Sequence, residues 1–147
     1  MKDGLDTKQT AAKGQTIHSL LRAAHALEDK VEATLAEAGL SAPKLAVLTA
    51  LAASNEPVTL GELAERLSCV RSNVTQMIDR LEVDGFVRRV SDAGDRRVVK
   101  AEITPKGRER QEAGSAAMEA LESRFSDSVE GQDHSAVERM LRSIEEI

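Results

Sequence analysis

The feature that most constrains this chain is a change of hydrophobic period near its middle. Leu63, Ala64 and Leu67, then Val74, Met77, Ile78 and Leu81, recur at helical spacing, with residues 68–70 as a short break between the two sets. After Gly85 the period drops to two. FVRRV and RVVKAEIT read as strands, the second alternating Val99, Ala101 and Ile103 against Lys100 and Glu102, and SDAGDRR joins them. The pattern predicts two short helices, a tight turn and a β-hairpin, each with one apolar side.

The flanking segments supply the partners for those sides. From residue 17 to about 38, Ile17, Leu20, Leu21, Ala24, Leu27, Val31 and Leu35 form one helical stripe that Gly39 ends. Ser41 is placed to cap a second helix with Pro43 in its first turn and Leu45, Leu48 and Leu51 on its apolar face. Thr59 and Glu62 have capping-box spacing, and Gly85 is placed to stop the helix before the hairpin. Thr104 and Pro105 open a helix running to about residue 126; Asp133 caps a last one bearing Val137, Met140, Leu141 and Ile144. The only aromatics are Phe86 and Phe125, so the core is aliphatic, which suits packed helices. The expected class is mainly α, in the order α-α-α-α-β-β-α-α.

With 147 residues there is little room for a large catalytic domain. The chain has no G-x-S-x-G, no H-E-x-x-H and no phosphate-binding glycine loop, so an enzyme finds no support and no cofactor or metal is expected. One cysteine, Cys69, excludes an internal disulfide framework. The first fifteen residues lack a signal peptide's apolar stretch, and no run approaches the roughly 18 residues of a membrane span, so a cytoplasmic protein without a membrane partner is expected. The net charge of −5 is unevenly spread: residues 111–147 hold 9 acidic against 3 basic groups, whereas residues 66–110 hold 11 basic against 7 acidic. A polyanion would be met in that middle section.

Two short helices joined by a tight turn and followed by a hairpin are the parts of a winged helix-turn-helix, whose second helix lies in the major groove of DNA. With Val74, Met77, Ile78 and Leu81 turned inward, a helical wheel puts Ser72, Asn73, Gln76 and Arg80 outward and Thr75 at the flank, with Arg71 opening the helix. Gln76 suits adenine and Arg80 suits guanine or phosphate, while Ser72, Asn73 and Thr75 suit phosphates or bases near the helix start. Any solvent-facing helix is polar in this way; the hairpin tips the balance, because Arg96 and Arg97 follow Gly94 at its tip and arginine there suits a narrow minor groove.

At these residues the chain resembles the MarR-type bacterial transcription regulators, whose signature is D-x-R in the wing, then a strand ending in Leu-Thr followed by x-x-Gly. Here it reads Asp95, Arg96, Arg97, then Ile103, Thr104 and Gly107. The resemblance implies that Arg97 enters the minor groove and that Asp95 orients the wing. It also implies a homodimer whose first and last two helices interlock, and a double-stranded, pseudo-palindromic operator with half-sites about 10 bp apart. A flexible tail is then expected over residues 1–15, a helical dimerisation region over 16–40 and 105–147, and the DNA-binding domain over 41–104. Val70 departs from the pattern, since a capping residue is usual there, and Tyr and Trp are absent from any effector pocket.

The resemblance also places an effector cleft between the dimerisation helices and the winged domain. His18, Arg22, His25 and Asp29 lie along one flank of the first helix, and His18, Arg22 and His25 are the candidate anchor for a small, anionic organic effector. The plainer reading is a solvated or dimer-facing polar stripe; two His at i, i+7 make a poor metal signature, and His134 reads as surface. Cys69, just before the recognition helix, reads as a packed side chain, with a thiol-based redox-sensing regulator as the alternative. A helical dimeric interaction module without DNA binding is the other alternative. The principal expectation is a ligand-responsive repressor.

Overall fold

The computed structural model describes residues 4–92, 94, 95 and 97–146, with side chains from residue 16 onward. The elements are α1 (Gly4–Glu37), α2 (Ala42–Ala52), β1 (Val58–Thr59), α3 (Leu60–Arg66), α4 (Arg71–Val83), β2 (Val87–Ser91), β3 (Val99–Ile103), α5 (Pro105–Ser128) and α6 (His134–Glu145). The class is the one expected, mainly α with a winged helix-turn-helix at its centre.

Two boundaries differ from the sequence reading. Residues 4–15, read as part of a tail, continue α1. They carry no apolar stripe to announce a helix, yet Ala, Lys and Gln are good helix formers and extend a helix already nucleated downstream. The hairpin also gains a third strand. β1 pairs antiparallel with β3 through Val58↔Ala101 and Thr59↔Lys100, giving the order β1-β3-β2. Two residues are too few to show a period, so only the sheet reveals them.

The core is aliphatic around Phe86. Val47, Leu48 and Leu51 of α2, Leu63 and Ala64 of α3, Val74, Ile78 and Leu81 of α4, and Val87 and Ala101 of the sheet are buried together with Leu35 and Leu40. Each large side chain buried here contributes about 1.5–3 kcal/mol. The side of α4 that carries Val74, Ile78 and Leu81 is therefore fixed inward, and its polar side outward. Thr59 closes the expected capping box with Glu62, and the Asp133 carboxylate accepts from the Ala136 N–H. Ser41 stands at the N-cap of α2 without making the side-chain bond.

The terminal helices behave otherwise. Of the α1 stripe only Leu35 is fully buried, while Ile17, Leu21 and Leu27 are exposed; α6 has no buried residue, and Val137, Met140, Leu141 and Ile144 face outward. Both helices thus leave apolar side chains exposed, although the C-terminal part of α1 packs on the core through Val31 and Leu35.

The wing is fastened to α5 by the Ile-Thr-x-x-Gly segment. Gly85 takes φ +75° to turn the chain out of α4. Thr104 then donates its N–H to the Phe86 carbonyl (3.0 Å) and its hydroxyl to the Gly85 carbonyl (2.7 Å), while accepting from the Gly107 N–H (3.0 Å). Gly107 packs so closely that a Cβ there would sit 1.9 Å from the Phe86 oxygen. The signature glycine is thus required by backbone contact.

Candidate nucleic-acid interface

α4 opens at Val70, whose side chain offers the first-turn N–H groups no acceptor and is itself 62% exposed. Arg71, Ser72, Asn73, Gln76 and Arg80 are exposed along the outer side of the helix. Thr75 is half-buried at the flank and donates its hydroxyl to the Arg71 carbonyl (3.0 Å), which leaves its lone pairs for an incoming donor. The outer side therefore offers donors and acceptors of several lengths on a rigid helix.

The wing tip is organised by two carboxylates. Asp92 accepts the N–H groups of Gly94 (3.1 Å) and Asp95 (3.2 Å) and pairs with Lys100 at 2.6 Å. Hydrogen bonding from Lys100, then from the Gly94 N–H, holds Asp92 below its ordinary value of 3.8, and Asp92 in turn holds Lys100 above 10.5. Asp95 accepts the Arg97 N–H (2.9 Å), and Val98 closes the loop by donating to the Asp95 carbonyl (2.9 Å). Asp95 thus fixes the backbone from which the exposed Arg97 projects. Arg96 lies outside the described residues.

Arg89, on β2, was not singled out by the sequence. Its guanidinium bonds to Asp79 and Glu82 of α4, and its N–H donates to Glu82 Oε1 (3.1 Å). The Asp79 hydrogen bond, opposed in part by burial, raises Arg89 above the ordinary guanidinium range. Asp92 was also missed, although D-x-G is a readable turn signal. Arg88 pairs across the hairpin with Glu102, and Lys44 of α2 with Asp84 at 2.7 Å.

The α1 flank is a separate region. His18, Arg22, His25 and Asp29 border one open depression of about 740 Å³ with Ser19, Leu21 and Ala26, every one of them on α1. His25 Nδ1 donates to the Leu21 carbonyl (2.7 Å), since that oxygen can only accept. A second hollow of about 660 Å³, not seen in the sequence, runs between α1 and α5, where Leu27, Val31, Met118, Leu121 and Phe125 meet Lys30 and Arg124. Cys69 is partly buried against the core, and its N–H donates to the Ala64 carbonyl (3.0 Å).

Residues 40–99, which hold α2 to the start of β3, match the family model described as MarR family. Among curated relatives, the helix-turn-helix-type transcriptional regulator YkoM of Bacillus subtilis (strain 168) is 41% identical over 73 residues, 50% of this chain and 47% of YkoM. The helix-turn-helix-type transcriptional repressor MdtR of the same organism is 31% identical over 104 residues, 68% of this chain and 66% of MdtR. The chain spans about half the length of YkoM and of other relatives it matches. Among solved structures, the transcriptional repressor CouR bound to a 23-mer DNA duplex has a TM-score of 0.73 and 25% identity, covering 90% of this chain and 94% of that one. CouR from Rhodococcus jostii RHA1 bound to p-coumaroyl-CoA has a TM-score of 0.66 and 26% identity, covering 89% and 90%. The shared winged helix, its D-x-R wing and the matched family model agree, and the chain belongs to the MarR family of winged-helix transcription regulators.

Proposed function

We propose that the protein is a cytoplasmic, non-catalytic repressor that binds a pseudo-palindromic DNA operator as a homodimer and leaves it when a small organic effector binds. The observation that carries DNA binding is the pairing of an exposed polar side on α4 with a wing whose tip presents Arg97 from a fixed backbone. In this reading α4 enters the major groove, where Gln76 and Arg80 meet base edges, and Arg71, Ser72, Asn73 and Thr75 meet phosphates or bases near the helix start. Arg97 enters the adjacent minor groove, with Arg96 beside it in sequence. Likeness to CouR, solved on a DNA duplex, supports the reading.

The exposed apolar side chains of α1 and α6 support a dimer. Light scattering should give twice the 15.9 kDa chain mass at micromolar concentration; a folded species of 15.9 kDa would overturn that part. His18, Arg22 and His25 provide the cationic anchor for an anionic effector, a class of partner supported by the p-coumaroyl-CoA bound to CouR. An effector that releases DNA must bind one spacing of the two winged domains more tightly than the other.

Binding titrations across a salt series test the DNA contacts. Arg97→Ala should weaken binding to operator and random DNA alike and flatten the salt slope by up to about 0.9 per lost contact. Gln76→Ala should cost about 1–3 kcal/mol on the operator and leave random-sequence binding nearly unchanged. An unchanged affinity and salt slope for Arg97→Ala would make the wing an ordinary solvated hairpin.

A further inference from the structure

Resting on the DNA-binding reading, we infer that Arg89 is a positioning residue that holds the wing at one angle to the recognition helix. β3 is held by β1, by the buried Ala101 and by the Thr104 bonds, whereas β2, the outer strand that faces α4, has less to fix that angle. Along β2 only Val87 is buried, and β1 supports β3 at just two residues, Lys100 and Ala101. Packing anchors Phe86 and Val87 at the base and Ala101 on β3, and leaves β2 beyond Val87 without a buried side chain to fix its approach to α4. Arg89 closes that gap. Asp79 and Glu82 stand one turn apart on α4, and the guanidinium spans both while the Arg89 N–H adds a third bond to Glu82.

The chemistry favours positioning over direct contact with DNA. A planar guanidinium bonded to two carboxylates is held in direction as well as in place, which an ammonium group would not achieve. Its side chain is only 27% exposed, and a phosphate would have to displace the carboxylates to reach it. The same bonds offset one of the two negative charges that Asp79 and Glu82 place on the helix that faces the duplex. Asp79 is the neighbour of Arg80, so the arm that sets the wing begins beside a DNA-facing side chain. Arg97 then reaches the minor groove at the distance from Gln76 that one duplex requires.

The test is a set of double-mutant cycles on a duplex that the wild-type protein selects from random-sequence DNA, read by fluorescence anisotropy over a salt series. Arg89→Gln should weaken binding roughly tenfold, and Arg89→Gln with Arg97→Ala should bind within about twofold of Arg97→Ala alone, because the wing contact is already lost. Combined with Gln76→Ala, the Arg89→Gln effect should be additive. A merely structural role would lower the melting temperature without coupling to Arg97. Additivity with Arg97→Ala, or a further fall in salt slope of about 0.9 from Arg89→Gln on top of Arg97→Ala, overturns the inference and makes Arg89 a phosphate contact or a stability residue. Should Arg89→Gln not fold, Glu82→Gln, which leaves the Asp79 bond, takes its place under the same criteria. Failure of the wild type to select any duplex, or wild-type affinity in Arg97→Ala, removes the DNA-binding reading itself; additivity with both intact removes only this inference.

Discussion

Gly107→Ala sets two opposed effects against each other, and the structure decides the sign. Gly107 lies in the first turn of α5, where alanine gains about 1 kcal/mol of helix propensity over glycine. The added Cβ, however, would lie 1.9 Å from the Phe86 oxygen, 2.8 Å from its carbonyl carbon and 2.9 Å from Ile103 Cγ1. Non-bonded carbons rest about 3.5–4.0 Å apart, so α5 must withdraw from the turn by more than about 1 Å. Withdrawal strains the Thr104 N–H bond to the Phe86 carbonyl and the Thr104 hydroxyl bond to Gly85, at about 1 kcal/mol each, and adds roughly 1–3 kcal/mol of overpacking. The expected result is a loss of about 2–4 kcal/mol in urea unfolding with an unchanged m-value, at one fixed protein concentration because the stability of the proposed dimer would depend on it. Gly61→Ala is the control. Its nearest atom, Thr59 Oγ1, is 3.9 Å away, so there the propensity gain stands alone and stability should rise by about 0.5 kcal/mol. If Gly107→Ala were as stable as the wild type, the close packing of α5 on the Phe86 carbonyl would be wrong.

Ser68 holds φ +49° in the turn between α3 and α4, a conformation costly for a residue with a Cβ, so Ser68→Gly should stabilise by about 0.5 kcal/mol once glycine's unfolded-state entropy is deducted. A drop in melting temperature would refute this. Val70→Ser supplies the missing acceptor at the start of α4 and should gain about 1 kcal/mol, read by thermal melting; no gain would show those N–H groups already satisfied. Asp92 is held below 3.8, so its contribution to the wing turn is present above that value and is lost as pH falls through the lower folded one. Lys100, held above 10.5, keeps its contribution below that value and loses it as pH rises through the higher folded one. The Gly94 and Asp95 amide resonances should accordingly stay fixed through neutral pH, and titration of either near neutrality would contradict the Asp92–Lys100 pair.

Which parts of this architecture could be read in advance follows from the range of each interaction. Helix period, capping box and turn glycine are local, and Thr59 with Glu62, Gly85, and the inward set Val74, Ile78 and Leu81 all stand where local chemistry puts them. The outer side of α4 follows from the inner one, so Ser72, Asn73, Gln76 and Arg80 were legible as exposed. Val47 was not expected among the buried residues, because α2 is apolar nearly all round and a stripe cannot be singled out in it. Arg89 was not legible for a different reason. Its partners lie seven and ten residues away across a turn, and only the angle at which β2 leaves Gly85 brings the three side chains together.

The apolar stripe of α1 marks the limit of periodicity as a guide. Its spacing is that of α4, yet α4 buries its stripe within the chain while Ile17, Leu21 and Leu27 remain exposed. Amphipathicity states that a side will be covered and is silent on whether the cover is the same chain. Charge adds what period cannot. Residues 111–147, which hold most of α5 and all of α6, carry 9 acidic against 3 basic groups, and residues 66–110 carry 11 basic against 7 acidic. In the proposed complex a duplex approaching the helical base meets repulsion that strengthens as salt is lowered, whereas α4 and the wing attract it. In that proposed complex the exposed apolar side chains of α1 and α6, kept off the DNA, remain open to the second copy of the chain, whose like charge they must outweigh.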